Sequence, residues 1–415
     1  MVDQNEVGTV LTADAHGGAP TRISKPSKLS DCIQKILAMG VPFSDIHISP
    51  DNPITLRQTS FAWKMAQIDG AEFIATQEQV EGFIHAMHEG DEERPPGKRE
   101  PCDWRDKLKI KGSLQPALNL TNLDTGETFR MRCLIQRQGI GESYGLVMRQ
   151  VPAVPESVQK LGLPFQVESL MTRVAQGLII VTGPTGSGKS TTLAAMIDEV
   201  NRTRCANIVT IEDPVEFIHE RKKSIINQRE IGIDVKSFAD GVLDALRFVP
   251  DVILIGEIRD AQTMRQALRA AESGHLVLAS MHAPNAISAI RKMLAYLSDS
   301  QGDLQSLAPV LEAVIAQALV RDKRGSGNNH LAAEYLDCSE DRVASAIINC
   351  VQGDSSYKAL SKLEREIITG DGRGKWATSM LDSLTKLIGE GKIDVMNARS
   401  VVTTNDEKQA LNKLQ

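Results

Sequence analysis

Eight consecutive residues near the middle of the chain form a pattern suited to binding phosphate. They are Gly183, Pro184, Thr185, Gly186, Ser187, Gly188, Lys189 and Ser190, which satisfy G-x-x-x-x-G-K-[ST]. Glycine lets the backbone wrap so tightly that consecutive N–H groups converge on an anion, and a helix that follows directs its positive end to the same point. In such a loop Lys189 neutralises the β and γ oxygens of a nucleoside triphosphate, and the Ser190 hydroxyl is a hard oxygen ligand for Mg²⁺.

The sequence on either side of the loop agrees with this interpretation. An apolar run, Leu178–Val181, precedes it, and a helix-forming run from Thr191 to Val200 follows it, so we count Thr191 among the nucleotide-binding residues. The alternative is an incidental Gly/Ser loop between a strand and a helix. That alternative requires the strand, the eight-residue match and the helix to coincide without a function.

Two further apolar runs end in carboxylates that could serve hydrolysis. A nucleoside triphosphatase needs one carboxylate to hold the hydrated metal and another to orient the attacking water. Glu257 stands just after one run and suits the first role, and Glu216 lies beyond the Asp213–Pro214 turn after the other run and suits the second. Asp213 is also explained as a turn former, and Asp251, at the start of a run, as a solvated boundary residue.

The elements that must position these residues alternate along the chain. Apolar runs typical of buried strands lie at 178–181, 208–211, 252–255 and 276–279, and helical stretches lie between them. This alternation predicts an α/β fold with a mostly parallel sheet, in which the carboxyl ends of the strands share one ligand-binding edge. Past Gly325 the strand signal fades, and Ser379–Val401 has the period of an amphipathic helix.

The part of the chain before this region has a mixed α+β pattern. We predict helices at 29–39 and 77–88, a strand at 44–49 with Ile46 and Ile48 on one face, a loop at 90–101, and antiparallel strands at 108–118 and 128–137. The domain prediction is a mobile arm over 1–28, an α+β domain over 29–149, a proline-containing linker over 150–162, an ATPase core over 163–330 and a mostly helical region over 331–415.

Composition narrows the class of protein. The 415 residues are enough for two or three folding units, and no apolar stretch approaches the ~20 residues of a membrane helix. The start of the chain lacks the features of an export signal, and six widely spaced cysteines suggest reduced thiols, so we expect a cytoplasmic protein. The net charge of -6 disfavours binding of nucleic acid by a basic surface.

Several ordered segments together resemble one family. The phosphate loop is followed by IVTIEDPVE at 208–216, VILIGEIRD at 252–260 and AESGHLVLASMH at 271–282, and SDIHI at 44–48 precedes it. With Leu381–Asp382 and Asn397–Arg399 near the other end, the chain resembles the secretion ATPase superfamily of traffic motors over roughly residues 30 to 400, close to its PilT-like pilus-retraction branch.

This resemblance implies a homo-hexameric ring that hydrolyses ATP with Mg²⁺. The implied parts are a PAS-like N-terminal domain, a linker, a RecA-like P-loop ATPase domain with the nucleotide at the cleft between the two domains, and C-terminal helices. Glu216 resembles the catalytic glutamate of the family's acidic box, and Glu257 resembles the Walker B glutamate, which holds the metal through water. His275 and His282 match the box histidines that sense or stabilise the nucleotide state; without the resemblance they would be interpreted as core or interface histidines, because they lack metal-ligand spacing.

The resemblance also implies arginines from the N-terminal domain that counter the γ-phosphate charge. Arg130 and Arg149 match the Arg-bearing segments of the family, whereas Arg137 is less securely placed. Each of them could instead be a surface or strand-edge arginine.

One segment departs from the pilus-retraction pattern. Residues 337–343, DCSEDRV, stand where those enzymes carry A-I-R-C. Together with the N-terminal arm and an insertion-like stretch at 353–374, this favours the DotB/TraJ-like branch of type IVB secretion and conjugation. We therefore expect a motor that powers such a machine through inner-membrane platform proteins, with a pilus-retraction ATPase as the alternative. A nucleic-acid translocase and a non-hydrolytic nucleotide-gated scaffold are the other classes, and the acidic composition and the two glutamates argue against them.

Overall fold

The computed structural model divides into two compact units, Met1–Pro152 and Ala153–Gln415. The structure describes residues 11–13, 28–38, 43–58, 63–68, 71–89, 104–114, 116–121, 128–138, 143–151, 154–155, 157–323, 329–352, 357–369 and 376–413.

The first unit combines antiparallel strands with helices. Its described strands are β1 (Leu11–Ala13), β2 (Phe43–Ile48), β3 (Thr55–Gln58), β4 (Trp63–Met65), β5 (Gln67–Ile68), β6 (Ala71–Glu72), β7 (Ser113–Leu114), β8 (Ala117–Thr121), β9 (Thr128–Gln138) and β10 (Ser143–Gln150), and its described helices are α1 (Lys28–Ala38), α2 (Gln77–Glu89) and α3 (Trp104–Lys111). One sheet has the order β1-β8-β9-β10-β2-β3-β4 with β7 beside β9, and β5 pairs with β6. These pairings are antiparallel, which confirms the predicted α+β character.

Burial in this unit follows the expected periods. Leu29, Ile33 and Ile36 recur at helical spacing on α1 and are buried, so one face of the helix contributes to the core. Ile46 and Ile48 alternate along β2 and are both buried, which confirms that they share a face.

The prediction of a strand over residues 108–118 was wrong for its first part, which belongs to α3. Trp104 and Leu108 stand one helical turn apart and are both buried, and this period outweighs the local alternation of lysine with apolar residues. Gly112, with φ of +75°, follows the end of the helix and donates its N–H to the carbonyl of Leu108.

Three described residues of the predicted N-terminal arm pair with the sheet. Leu11–Ala13 form β1, which pairs with Leu118–Leu120 of β8, so this part of the arm belongs to the sheet. The rest of the arm, at 1–10 and 14–27, and the loop predicted at 90–101 lie outside the described residues.

The second unit is a mostly parallel sheet with helices. Its described strands are β11 (Gly177–Thr182), β12 (Asn207–Glu212), β13 (Ile225–Glu230), β14 (Val252–Ile255), β15 (Leu276–Met281), β16 (Leu311–Arg321), β17 (Asn329–Asp337) and β18 (Ala377–Thr378), and its described helices are α4 (Phe165–Arg173), α5 (Lys189–Thr203), α6 (Phe238–Ala245), α7 (Ala261–Glu272), α8 (Ala286–Leu297), α9 (Gln301–Val310), α10 (Asp341–Gln352), α11 (Lys358–Thr369), α12 (Met380–Gly389), α13 (Val395–Arg399) and α14 (Asn405–Asn412). The strand order is β13-β12-β14-β15-β11-β16-β17-β18. Pairings from β13 to β16 are parallel, and β17 and β18 add antiparallel pairs.

The central strands of this sheet are buried on both faces, as a parallel sheet between helices requires. Every residue of β11, β14 and β15 is buried. One hydrophobic core contains residues of α6, α7 and α8, and a second contains residues of α4 and α5. The four predicted strands are confirmed, and the α/β expectation holds.

The sheet extends further along the chain than the sequence analysis predicted. β16 and β17 pair from Ala313 with Asp337 to Arg321 with Asn329, so the strand signal does not end at Gly325 and a domain boundary after residue 330 falls inside β17. Both strands are rich in alanine, which is a poor signal for a strand even though most of their residues are buried. The stretch at 353–374 contains α11, whose Leu360, Leu363 and Ile367 are part of the core.

The C-terminal residues carry the helices predicted for Ser379–Val401, namely α12 and α13. Within the described residues, no helix combines the length and the apolar character needed to cross a bilayer.

Candidate nucleotide-binding and hydrolysis site

The phosphate loop connects the buried strand β11 to the start of α5. Gly183, Gly186 and Gly188 have φ of +150°, +76° and +87°, so the loop uses backbone conformations that other residues rarely adopt. Gly188 is the N-cap of α5 and its side chain is a hydrogen atom, so the first N–H groups of the helix are left for an anion. Ser190 and Thr191 lie in the first turn of α5, and Ser190 is exposed.

The lysine of the loop folds back onto the loop itself. Lys189 Nζ donates to the carbonyl oxygens of Gly183 and Pro184, each at 3.0 Å. Burial lowers the pKa of the Lys189 ammonium, and the negative charges of Glu257 and Glu216 oppose that shift. Both predicted carboxylates are therefore close enough to act on the lysine that would contact phosphate.

The neighbouring strand β16 contacts the phosphate loop. The amide Nε2 of Gln317, on β16, donates to the carbonyl of Ser187 at 2.7 Å, and a Cβ added to Gly183 would lie 2.3 Å from the carbonyl oxygen of Gln317. Ser187 Oγ and Gln317 Oε1 are buried and make no hydrogen bond with the described residues. The sequence analysis did not single out Gln317, because a glutamine in an alanine-rich strand has no local pattern that marks it.

Glu257 lies at the carboxyl edge of the sheet, just after β14, in a small network of charges. Its Oε2 accepts from Arg259 Nε at 2.7 Å, and its Oε1 lies 3.0 Å from His282 Nε2. Arg259 also reaches Asp213 through Nη1 at 3.0 Å, so it joins the ends of β14 and β12. The Glu257 side chain is 17% exposed, so it is mostly withdrawn from water.

His282 is positioned by the strand end that precedes it. The Thr182 hydroxyl lies within 3.1 Å of the carbonyl oxygens of Met281 and Ala283 and also accepts the Ala283 N–H at 2.8 Å. Because Thr182 directly precedes the phosphate loop, this contact ties the backbone on both sides of His282 to the nucleotide site. The carbonyl of His282 accepts from Lys292 Nζ at 3.0 Å.

The structure does not bring His275 together with His282 and Glu257. His275 precedes β15, whereas His282 follows it, and the intervening strand separates the two by roughly 20 Å. Its ring Nδ1 lies 2.9 Å from the carbonyl of Ala270, and its own carbonyl accepts the N–H of Gly177 at the start of β11. His275 therefore lies at the sheet edge opposite the phosphate loop.

The predicted arginines belong to the first unit. Arg149, on β10, donates through Nε to Asp45 of β2 at 2.7 Å, and Asp45 is buried. Arg130 lies on β9 opposite Asn119. Within its own unit Arg149 thus has a structural partner.

The donor set suits a magnesium ion held together with a nucleotide. The exposed Ser190 hydroxyl and the Glu257 carboxylate are hard oxygen donors at the same sheet edge, and Mg²⁺ usually takes one or two protein oxygens together with phosphates and water. In the described part of the chain no cluster of three or more His, Cys, Asp or Glu could form a complete metal cage.

Comparison with known proteins identifies the family. The family model described as Type II/IV secretion system protein matches residues 119–383. The type IV pilus retraction ATPase PilT of Pseudomonas aeruginosa is 38% identical over 273 residues, which is 65% of this chain and 74% of PilT.

Solved structures agree with the sequence match. A crystal structure of the pilus retraction motor PilT with bound ADP has a TM-score of 0.72 at 31% identity and covers 93% of this chain and 100% of its own. The ATPase DotB of Legionella pneumophila has a TM-score of 0.72 at 22% identity, covering 92% of this chain and 97% of DotB, which shows the shared fold. The RecA-like fold is thereby shown, and the chain belongs to the Type II/IV secretion system protein family of the secretion ATPase superfamily.

Proposed function

We propose that this chain hydrolyses ATP at the phosphate loop and works as a homo-hexameric motor. The observation that carries the proposal is the convergence of Lys189, Glu257 and Glu216 at one edge of the sheet, where both carboxylates act on the lysine. A nucleotide-gated scaffold needs the loop alone, whereas hydrolysis needs a carboxylate for the metal and another for water.

Different residues of the chain have different roles in phosphoryl transfer. Lys189 leaves the carbonyls of Gly183 and Pro184 to neutralise the β and γ oxygens. Ser190 and, through water, Glu257 would hold Mg²⁺, which would supply positive charge where negative charge develops. Glu216 orients the attacking water and accepts its proton.

The neighbours of Glu257 set its position. His282 and Arg259 hold its two oxygens, so the carboxylate is placed before the nucleotide arrives, and little reorganisation is needed when charge develops. His282 is therefore suited to sense whether Glu257 is engaged with the metal.

Within the family we propose a role in a type IV system, through inner-membrane platform proteins. Support for the type IVB secretion and conjugation branch comes from residues 337–343, DCSEDRV, which depart from the retraction pattern. In the structure they form the end of β17 and the start of α10, where Asp337 accepts from Ser339 Oγ at 2.6 Å and from Arg173 at 3.2 Å. The second candidate, pilus retraction, is favoured by the 31% identity to the PilT structure, against 22% to the DotB structure over a similar share of this chain.

Complementation separates these two candidates. The chain is expressed in a Pseudomonas aeruginosa strain that lacks PilT and, in parallel, in a Legionella pneumophila strain that lacks DotB. The type IVB proposal predicts rescue of secretion in the second strain and no rescue of twitching in the first. Rescue of twitching alone would replace it with the retraction motor.

The enzymatic part of the proposal is tested on the purified protein. Phosphate release and particle mass are measured together, with and without ATP and Mg²⁺. The proposal predicts turnover and an assembly of six copies. A monomer without turnover under all of these conditions would contradict it.

A further inference from the structure

The segment that carries Glu216 has no regular structure of its own. β12 ends at Glu212 and β13 begins at Ile225, and residues 213–224 between them form neither helix nor strand. Glu216 is exposed, and its carboxylate makes no hydrogen bond or ion pair with the residues that the structure describes. The position of this carboxylate therefore depends on what holds the backbone around it.

The far end of the segment is anchored to α5, the helix that begins at the phosphate loop. Asn201 of α5 is fully buried, and its Nδ2 donates to the carbonyl of Glu220 at 2.7 Å. Its Oδ1 accepts the N–H groups of Lys222 at 3.1 Å and Ser224 at 3.3 Å. These bonds fix residues 220–224 but leave the part next to Glu216 to other partners.

The part next to Glu216 is held by side chains of β12 and β13. Gln228, on β13, bonds the segment on both sides of Ile218: its Nε2 donates to the carbonyl of Phe217 at 2.8 Å, and its Oε1 accepts the N–H of His219 at 3.0 Å. The N–H of Val215 donates to Glu230 Oε2 at 3.1 Å.

Gln228 also forms a hydrogen bond with Glu212, whose carboxylate accepts the backbone N–H of Glu216. Glu212 accepts the backbone N–H of Glu216, and burial raises the pKa of the Glu212 carboxyl, while this bond and those from Thr210 and Gln228 oppose the rise. Gln228 Nε2 reaches Glu212 Oε1 at 3.2 Å, so one amide connects Glu212 with residues 217–219 of the segment.

The chemistry of these contacts requires an amide at position 228. The amide offers one acceptor to the His219 N–H and donors to the Phe217 carbonyl and the Glu212 carboxylate, so its orientation is determined by its partners. A carboxylate would lose the donors and repel Glu212, and an apolar side chain would leave all three groups without this partner.

We infer that Gln228 is a positioning residue, which holds the backbone of residues 215–219 so that the Glu216 carboxylate faces the phosphate loop; this rests on the proposed role of Glu216 in hydrolysis. Gln228 acts on turnover through Glu216 and not through nucleotide binding. Its loss lowers kcat and leaves the affinity for nucleotide nearly unchanged, because the phosphate loop is held by Gln317 and Thr182 on other strands.

The test uses Gln228→Met, which keeps the length of the side chain and removes both donors and the strong acceptor. The matched control is Asn227→Met on the same strand, because Asn227 is exposed and its side chain makes no hydrogen bond with the described residues. ATP turnover against concentration and affinity for a fluorescent ADP analogue are measured for the full-length protein. We expect kcat of Gln228→Met to fall roughly ten- to a hundredfold, with KM and ADP affinity within about threefold of the wild type and the control unchanged.

Two comparisons make the inference falsifiable. In the Glu216→Gln background, Gln228→Met should cause little further loss of turnover, because both changes act through one carboxylate. A further loss as large as in the wild-type background, an unchanged kcat, or a fall in ADP affinity that matches the fall in kcat would overturn the inference.

A readout without turnover separates this inference from the proposed function. Hydrogen–deuterium exchange of the apo protein should be faster at residues 213–219 in Gln228→Met and unchanged at 220–224, which Asn201 holds. If the wild type does not hydrolyse ATP, the proposed function fails. The claim that Gln228 holds this segment fails only if exchange there is the same in the variant and the wild type.

Discussion

Gly183 is the residue of the phosphate loop that tolerates a side chain least. Its φ is +150°, and an added Cβ would lie 2.3 Å from the carbonyl oxygen of Gln317 and 2.6 Å from Ser187 Oγ. The first neighbour is backbone of the buried strand β16, which cannot move away without disturbing the sheet. We predict that Gly183→Ala destabilises the second unit and distorts the loop.

The loss of stability expected for Gly183→Ala is the sum of two contributions. The unfavourable backbone conformation costs about 1–3 kcal/mol, and the steric overlap adds about 1–3 kcal/mol. Gly186→Ala is the matched control, because its φ is +76° but an added Cβ meets no atom within 4 Å, so only a backbone cost of about 1–2 kcal/mol remains. For a unit of this size the costs correspond to a fall in Tm of roughly 12 °C for Gly183→Ala and roughly 4 °C for Gly186→Ala.

Thermal unfolding followed by circular dichroism without nucleotide measures both variants under the same conditions. Titration with a fluorescent ADP analogue then shows whether the loop of Gly183→Ala still binds. If Gly183→Ala is as stable as Gly186→Ala and binds ADP as the wild type does, the close packing between the loop and β16 does not constrain the site, and the reasoning is refuted.

Two further predictions concern charged groups outside the phosphate loop. Burial raises the pKa of Glu334 to about 7, with the charges of Glu407 and Glu364 adding to the rise and the Ala286 N–H opposing it. The folded state therefore binds a proton more readily than the unfolded chain. For this reason the free energy of unfolding should fall by up to about 3 kcal/mol as pH rises from about 5 to about 8, and Glu334→Gln should remove this pH dependence, measured by urea unfolding. An identical pH dependence in the variant would exclude Glu334 as its source. Arg149→Ala should lower the unfolding free energy of the first unit by about 1–2 kcal/mol, because it removes the guanidinium from the buried Asp45 and leaves the Ser44 hydroxyl as a donor to that carboxylate. Unchanged stability would mean that water fully replaces this ion pair.

The features that could be predicted from the sequence are those with a local pattern. The glycine spacing of the phosphate loop and the continuous apolar runs of β11, β14 and β15 depend on neighbours in the chain, because a buried parallel strand and a phosphate loop each need specific residue types over a few positions. Glu257 is a candidate for the same reason, since it lies two residues after the end of such a strand.

The features that could not be predicted depend on contacts between distant segments. Arg259 contacts Asp213, which follows another strand, Gln317 contacts Ser187, and Gln228 contacts the backbone on both sides of Ile218. No local period or motif predicts these contacts, because strand order and register determine them. The same limit explains α3, where Trp104 and its neighbours could be fitted by two different periods.

His275 shows how a matched motif can mislead about geometry. β15 runs through the segment at 271–282 and places its two histidines at opposite ends of the strand. A motif that spans a strand therefore contributes to two edges of a sheet, and only His282 lies at the edge that carries Glu257.

The central claim is that Glu257, held by His282 and Arg259, serves ATP hydrolysis and not the fold. The most direct measurement is phosphate release by purified wild type and Glu257→Gln at saturating ATP and Mg²⁺, with Tm measured on the same samples. The account predicts turnover in the wild type, a loss of at least about a hundredfold in the variant, and Tm values within a few degrees of each other. Turnover of Glu257→Gln comparable to that of the wild type would contradict it.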